Sequence, residues 1–220
     1  MKLFIDDGNV DKIAELFELG LFSGVTTNPS ILKKTGRKPL EVIKEILNKF
    51  SGDLFVQCTS ENIDDMVKEG TKLFEIAPDR IILKIPFSRN GIKALKKLKR
   101  LDIPTLITAI FSVPQVLVSA EAGADYVAPY VSRMENAGID LSVVNSMQRV
   151  ITNNSYETKI ITASFKTLTQ ISRMAELTIY GMSLPIAMYD KFFAHSGTLK
   201  AIEGFDLDWN AIENREWVSI

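Results

Sequence analysis

The residue with the most reactive potential is Lys84, in the run Arg80-Ile81-Ile82-Leu83-Lys84-Ile85. In an extended strand side chains alternate faces, so Ile81, Leu83 and Ile85 share one side while Ile82 and Lys84 share the other. If the apolar trio packs under helices, Lys84 is directed inward, where an unpaired ammonium is costly. Burial lowers a lysine pKa and frees the amine. A free amine can attack a ketone, and the resulting iminium draws the electrons of the C3–C4 bond of a ketose without a metal or an organic cofactor. The alternative for such a lysine is a structural ion pair, for which Asp6 is the available partner.

The same count brings other polar residues to the same side. Asp6 falls with Phe4, Thr26 and Asn28 continue from Gly24, Gln57 falls with Phe55, and Thr108 falls with Leu106. Tyr130 follows Tyr126 and Ala128, and Ser164 is expected to follow Thr162, opposite Ile161 and Ala163. Seven segments in a row thus end in a hydrogen-bonding group. Carbon–carbon cleavage needs proton transfer at the C4 hydroxyl and at the carbinolamine oxygen. Asp6, Tyr130 and a water held between Gln57 and Thr108 are the candidates, and spacing does not rank them. Asn28 and Ser164 do not titrate near neutrality and suit substrate hydroxyls. Arg133, just past Tyr130, can hold a phosphate or can be an ordinary solvated arginine. Cys58 faces the opposite way from Gln57 and reads as packing; His195, the single histidine, falls on a C-terminal helix far from any strand end.

These residues need strands to carry them. Apolar, β-prone segments at residues 2–6, 24–26, 53–58, 80–85, 105–109, 126–129, 159–164 and 182–184 alternate with amphipathic stretches at residues 10–19, 39–50, 63–76, 91–100, 113–122 and 141–151. Eight such units predict a closed (β/α)8 barrel, with the reactive groups at the C-terminal ends of its strands. The last strand is open between residues 182–184 and 177–180. Residues 186–193 predict a further helix. The barrel is expected to form one domain over residues 1–220, with a helical tail at about residues 200–220 that either contacts a neighbouring subunit or folds back.

Composition bounds the partners. With 26 basic and 27 acidic residues the net charge is -1, so no general field attracts nucleic acid or anionic lipid. An anionic substrate must be held locally. One cysteine allows no internal disulfide, no apolar run has a membrane-spanning length, and no signal-like segment opens the chain, which together predict a cytoplasmic protein. No metal site and no cofactor are expected.

In combination, Gly24-Val25-Thr26-Thr27-Asn28-Pro29-Ser30, Lys84-Ile85-Pro86, Ile103-Pro104-Thr105-Leu106 with Thr108-Ala109, Tyr126-Val127-Ala128-Pro129-Tyr130-Val131 and Ala163-Ser164-Phe165-Lys166-Thr167 resemble the small transaldolase family. Within it the chain is most similar to the fructose-6-phosphate aldolase-like members. The resemblance implies that Lys84 forms a dihydroxyacetone Schiff base surrounded by Asp6, Asn28, Gln57, Thr108 and Tyr130, and that Arg133 and Ser164 contact the phosphate of the aldose product. It also implies a homo-oligomer, a pentamer or decamer, whose C-terminal helix reaches a neighbour.

Two reactions fit the resemblance. One cleaves fructose 6-phosphate to dihydroxyacetone and glyceraldehyde 3-phosphate; the other transfers the dihydroxyacetone unit between sugar phosphates such as sedoheptulose 7-phosphate and erythrose 4-phosphate, as in the pentose phosphate pathway. Glutamine at 57 and tyrosine at 130 resemble the aldolase-like members, where transaldolases usually carry glutamate and phenylalanine. The chain departs from the family at Asp7-Gly8, where a threonine and a small residue are usual, and at Ser88. A second carboxylate at Asp7 leaves room for a third reading, a barrel that binds sugar phosphates without turning them over.

Overall fold

The computed structural model describes residues 1–213 and 216–217. Its eight strands are β1 (Lys2–Asp6), β2 (Phe22–Thr26), β3 (Asp53–Gln57), β4 (Ile81–Pro86), β5 (Thr105–Ile110), β6 (Tyr126–Pro129), β7 (Lys159–Thr162) and β8 (Gly181–Leu184). All pair in parallel in chain order, and β8 closes on β1 to make the (β/α)8 barrel expected from the alternation.

Two apolar layers follow from the two faces of the strands. Ile5, Val25, Leu54, Leu83, Ile85, Ile107 and Val127 point outward into one large core shared with the helices. Phe4, Phe55, Ile82, Leu106, Ala128 and Ile161 fill the barrel interior. The Phe4 and Phe55 rings meet edge to face at 5.4 Å. Below them Tyr126 and Tyr180 close the floor, and the Lys159 ammonium lies 5.8 Å and 5.0 Å from their ring centres. Ile161 in this inner layer overturns one expectation. On β7 it is Ile161, not Thr162, that faces inward, while Thr162 is buried with its hydroxyl toward the Gly181 carbonyl. Pairing continues one residue past β7 through Ala163, and the regular alternation breaks at Ser164 itself, whose backbone is left-handed at φ 65°.

The eighth strand is Gly181–Leu184, and residues 177–180 precede it. Gly181 is required by the barrel seam: a Cβ there would sit 2.8 Å from the Lys2 carbonyl oxygen and 2.9 Å from the Phe4 ring. Lys2 pairs directly with Gly181.

The helices that cover the barrel are α1 (Val10–Phe17), α2 (Pro29–Lys34), α3 (Pro39–Lys49), α4 (Ile63–Phe74), α5 (Arg89–Lys99), α6 (Val113–Glu121), α7 (Val131–Asn136), α8 (Val143–Asn153), α9 (Leu168–Ala175) and α10 (Ile186–Phe193). Local sequence explains their starts. Asn9, Asn28, Asn62 and Ser88 accept backbone N–H bonds from the first turns of α1, α2, α4 and α5, each such cap contributing about 1 kcal/mol. On α10, Tyr189 is buried and its hydroxyl donates to the Phe4 carbonyl at 2.9 Å.

A last helix, α11 (Ser196–Ala211), buries none of its residues; Leu199, Ile202, Phe205 and Leu207 are exposed. The Trp209 and Trp217 rings stack at 5.5 Å. The expected tail at about residues 200–220 therefore begins earlier, and residues 214, 215 and 218–220 lie outside the described residues. Among the described residues no helix is long and apolar enough to cross a membrane.

Candidate active site

Register decides which residues meet at the C-terminal mouth. Gln57 pairs with Lys84, Pro86 with Thr108, and Asp6 with Thr26, so the polar strand ends arrive at one level above the apolar inner layer. They surround a cavity of about 630 Å³ lined by Asp6, Asn28, Gln57, Lys84, Thr108, Tyr130, Arg133 and Ser164, among others. Of the sequence-derived candidates only Thr26 is not in the wall; it stands beside Asp6 and hydrogen-bonds to it.

Lys84 is 5% exposed, and its Nζ donates to the Thr27 carbonyl at 2.7 Å. Burial pushes its ammonium below the usual lysine range, and the Asp6 carboxylate opposes that shift. A carbonyl acceptor suits a neutral amine, because it fixes one N–H and leaves the lone pair for a substrate. Burial also pushes the Asp6 carboxyl up, opposed by Lys84 and by the Thr26 hydroxyl, which donates to Asp6 Oδ1 at 2.6 Å.

Across the cavity the Thr108 hydroxyl donates to the Tyr130 phenol oxygen at 2.8 Å. The Arg133 guanidinium stands 4.8 Å from the centre of the Tyr130 ring. Arg133 is on the short helix α7 rather than in a loop, which sets its exposed head at the mouth. Asn28 spends its side-chain oxygen on the Ile31 N–H at the start of α2, leaving its amide N–H groups for the cavity.

Two non-glycine residues in the cavity wall, Ala109 at φ 60° and Ser164 at φ 65°, adopt left-handed backbone. Such geometry costs on the order of 1–3 kcal/mol and tends to gather at functional sites. At Ala109 it accompanies a register shift between Thr108 and Ile110. At Ser164 it accompanies a side chain that lines the cavity outside the strand alternation of β7.

The Asp7 carboxylate is turned away from chemistry. Its Oδ1 accepts from the N–H groups of Gly8 and Asn9 at 2.8 Å and 2.9 Å, and its charge is a minor upward influence on Asp6. Cys58 is buried and its thiol is pushed up to about 12, which suits packing. The His195 side chain caps α11.

Sequence reasoning missed Ser183, Lys34, Lys166 and Ser132. Lys34, Lys166 and Ser132 line the cavity. Ser183 on β8 is 1% exposed and lies 2.6 Å from the Thr26 hydroxyl. Once β8 is known to start at Gly181, the two-residue period places Ser183 inward like the others. A larger cavity of about 850 Å³ at the opposite, N-terminal mouth is lined by Asp53, Arg80, Lys99, Asp125 and Lys159. Its charges are largely committed: Lys99 pairs with Asp125 at 2.7 Å, and Arg80 donates to the carbonyls of Gly52 and Leu47.

A parallel barrel that gathers a buried amine, a carboxylate and a phenol at its C-terminal mouth has the architecture of a barrel enzyme. The model of the Transaldolase/Fructose-6-phosphate aldolase family matches residues 3–216, and the chain belongs to that family, whose enzymes use Schiff-base chemistry. A probable transaldolase of Methanococcus vannielii is 39% identical over 212 residues, covering 96% of this chain and 98% of that protein. A probable transaldolase of Hydrogenobaculum sp. is 35% identical over 216 residues, covering 98% and 99%. Probable transaldolase 2 of Listeria monocytogenes is 36% identical over 217 residues, again 98% and 99%.

Proposed function

We propose that the protein is a class I aldolase that interconverts fructose 6-phosphate with dihydroxyacetone and glyceraldehyde 3-phosphate. The observation that carries the reading is the buried Lys84 amine, held by the Thr27 carbonyl and pushed down in pKa within a ring of polar strand ends.

Lys84 Nζ attacks the C2 ketone, and loss of water from the carbinolamine gives the iminium. Tyr130 receives a hydrogen bond from Thr108, so its own proton is available to the departing carbinolamine oxygen. Asp6, made more basic by burial, takes the C4 hydroxyl proton; the C3–C4 electrons then move into the iminium, leaving an enamine and the free aldehyde. Protonation of the enamine at C3 and addition of water release dihydroxyacetone and restore the amine. Arg133 and Ser164 hold the phosphate of the aldehyde half, with Lys34 and Lys166 adding positive charge to the same wall. Asn28 binds substrate hydroxyls, and Gln57, which cannot titrate, orients water beside Lys84 with Thr108.

The relatives, named probable transaldolases, favour a second reading, in which the enamine adds to another aldose phosphate before water reaches it. Glutamine at 57 and tyrosine at 130 support the aldolase. Borohydride added with dihydroxyacetone should fix a three-carbon adduct to Lys84, and unmodified Lys84 in folded protein would reject both readings. Release of glyceraldehyde 3-phosphate from fructose 6-phosphate without erythrose 4-phosphate then supports the aldolase, whereas strict dependence on the acceptor means transfer.

A further inference from the structure

We infer that Ser183 is a positioning residue that acts through Thr26 to aim and polarise the hydrogen bond on the Asp6 carboxylate. The inference rests on the role proposed for Asp6. Three side chains lie in a row across the seam where β1 is flanked by β2 and β8. Thr26 Oγ1 is 2.6 Å from Asp6 Oδ1 and 2.6 Å from Ser183 Oγ. An ionised carboxylate only accepts, so the one proton of Thr26 goes to Asp6. The contact between the two hydroxyls then has a single possible direction: Ser183 donates to Thr26.

Thr26 and Ser183 are 3% and 1% exposed, so water does not substitute for either partner. Donation from Ser183 polarises the Thr26 O–H and makes it a better donor to Asp6, by roughly 10–30% for a bond in such a chain. It also holds the Thr26 rotamer, and with it the carboxylate, against rotation. Ser183 itself is outside the cavity wall, so it touches no substrate.

The other charged or titratable groups around Asp6 are Lys84 on β4, Asp7 beside it in the chain, Lys166 after β7, and Tyr189 on α10 behind β1. Lys34 on α2, Tyr130 after β6 and Arg133 on α7 share its cavity, and Asp11, Arg37 and Glu45 line the adjoining cleft. None contacts Ser183 by hydrogen bond, so replacing Ser183 leaves their charges in place.

The test is the pH profile of kcat for fructose 6-phosphate cleavage in wild type, Ser183→Ala and Ser183→Thr. The Thr26 bond favours ionised Asp6, so weakening it lets the carboxyl titrate higher. Ser183→Ala should move the acid limb toward higher pH by roughly a few tenths of a unit. Its kcat should fall by roughly tenfold, less than the ~100-fold cost of a 1 Å misplacement, with KM nearly unchanged. Ser183→Thr, which keeps the hydroxyl, should restore both. If Ser183→Ala does not fold, Ser183→Cys keeps the volume with a weaker donor and should show the same shift. An unmoved acid limb in a folded variant, or a folded Ser183→Thr that fails to restore it, overturns the inference. The borohydride trap separates the two levels: wild type without an adduct defeats the proposed function, whereas a wild-type adduct with an unmoved limb defeats only the role of Ser183.

Discussion

At the residue scale, the site depends on two groups whose charged forms are both disfavoured by burial and both supported by the other. Lys84→Met should remove the borohydride adduct and lower cleavage by at least ~1000-fold, since no other lysine among the described residues is buried; retained adduct at another lysine would contradict this. Asp6→Asn separates the partners. The Asp6 carboxylate holds the Lys84 ammonium up against burial, so removing its charge should lower the Lys84 pKa further. The amine is then free at lower pH. Competitive acylation of Lys84, mapped by mass spectrometry across pH, should show its midpoint moving downward in Asp6→Asn, and an upward or absent shift would mean the two groups are not coupled. The same linkage has a stability sign: between the depressed folded value and the ordinary lysine value the unfolded chain binds more protons, so the Lys84 contribution to stability rises with pH across that window.

Much of this was legible in the residues themselves. Asp6, Gln57, Lys84, Thr108 and Tyr130 sit on or directly follow regular strands, and counting by two from their apolar neighbours found the right face. Ser164 reached the cavity for a different reason from the one expected, because the left-handed backbone of Ser164 itself is invisible to a period-two count. Ser183 was missed because Leu177, Ile179 and Tyr180 are as β-prone as the true strand, and an uncertain start gives no parity.

At the element scale, strands and long helices announce themselves through period, while short helices do not. α2 and α7 have 6 residues each, fewer than two turns, so no apolar stripe can develop. Yet these two carry Lys34 and Arg133 to the mouth. α9 went unread although Thr167 and Gln170 form a capping box at its start. The seam between β8 and β1 gives an element-level prediction. Gly181→Ala would force a methyl against the Lys2 carbonyl, and because the obstacle is backbone the strands must separate. A loss of roughly 1–3 kcal/mol in denaturant unfolding is expected, and an unchanged midpoint would show that the seam can yield. Ser183 shares this strand, so the same variant should also depress kcat.

At the scale of the whole molecule, α11 is the element that the barrel does not explain. Its exposed Leu199, Ile202, Phe205 and Leu207 gain nothing from water, and α10 leaves Phe192 and Phe193 partly exposed beside it. We propose that this surface is covered by another copy in a homo-oligomer, the pentamer or decamer that the family resemblance implies. Light scattering should give a mass several times 24.6 kDa, and Ile202→Glu with Phe205→Glu should lower it while leaving the barrel folded; a monomeric wild type would remove the proposal.

The aromatic floor beneath the site has a consequence for traffic. Phe4, Phe55, Tyr126 and Tyr180 stopper the barrel below Lys84, with Lys159 across the outer rings. In the proposed reaction sugar, aldehyde and water would therefore all reach Lys84 from the C-terminal mouth, and the enamine would stay shielded until the first-born aldehyde has left by the same side. Whether the next visitor is water or a second aldehyde is then a contest of arrival at that mouth, so one architecture can serve cleavage or transfer according to how long the phosphate end lingers at Arg133.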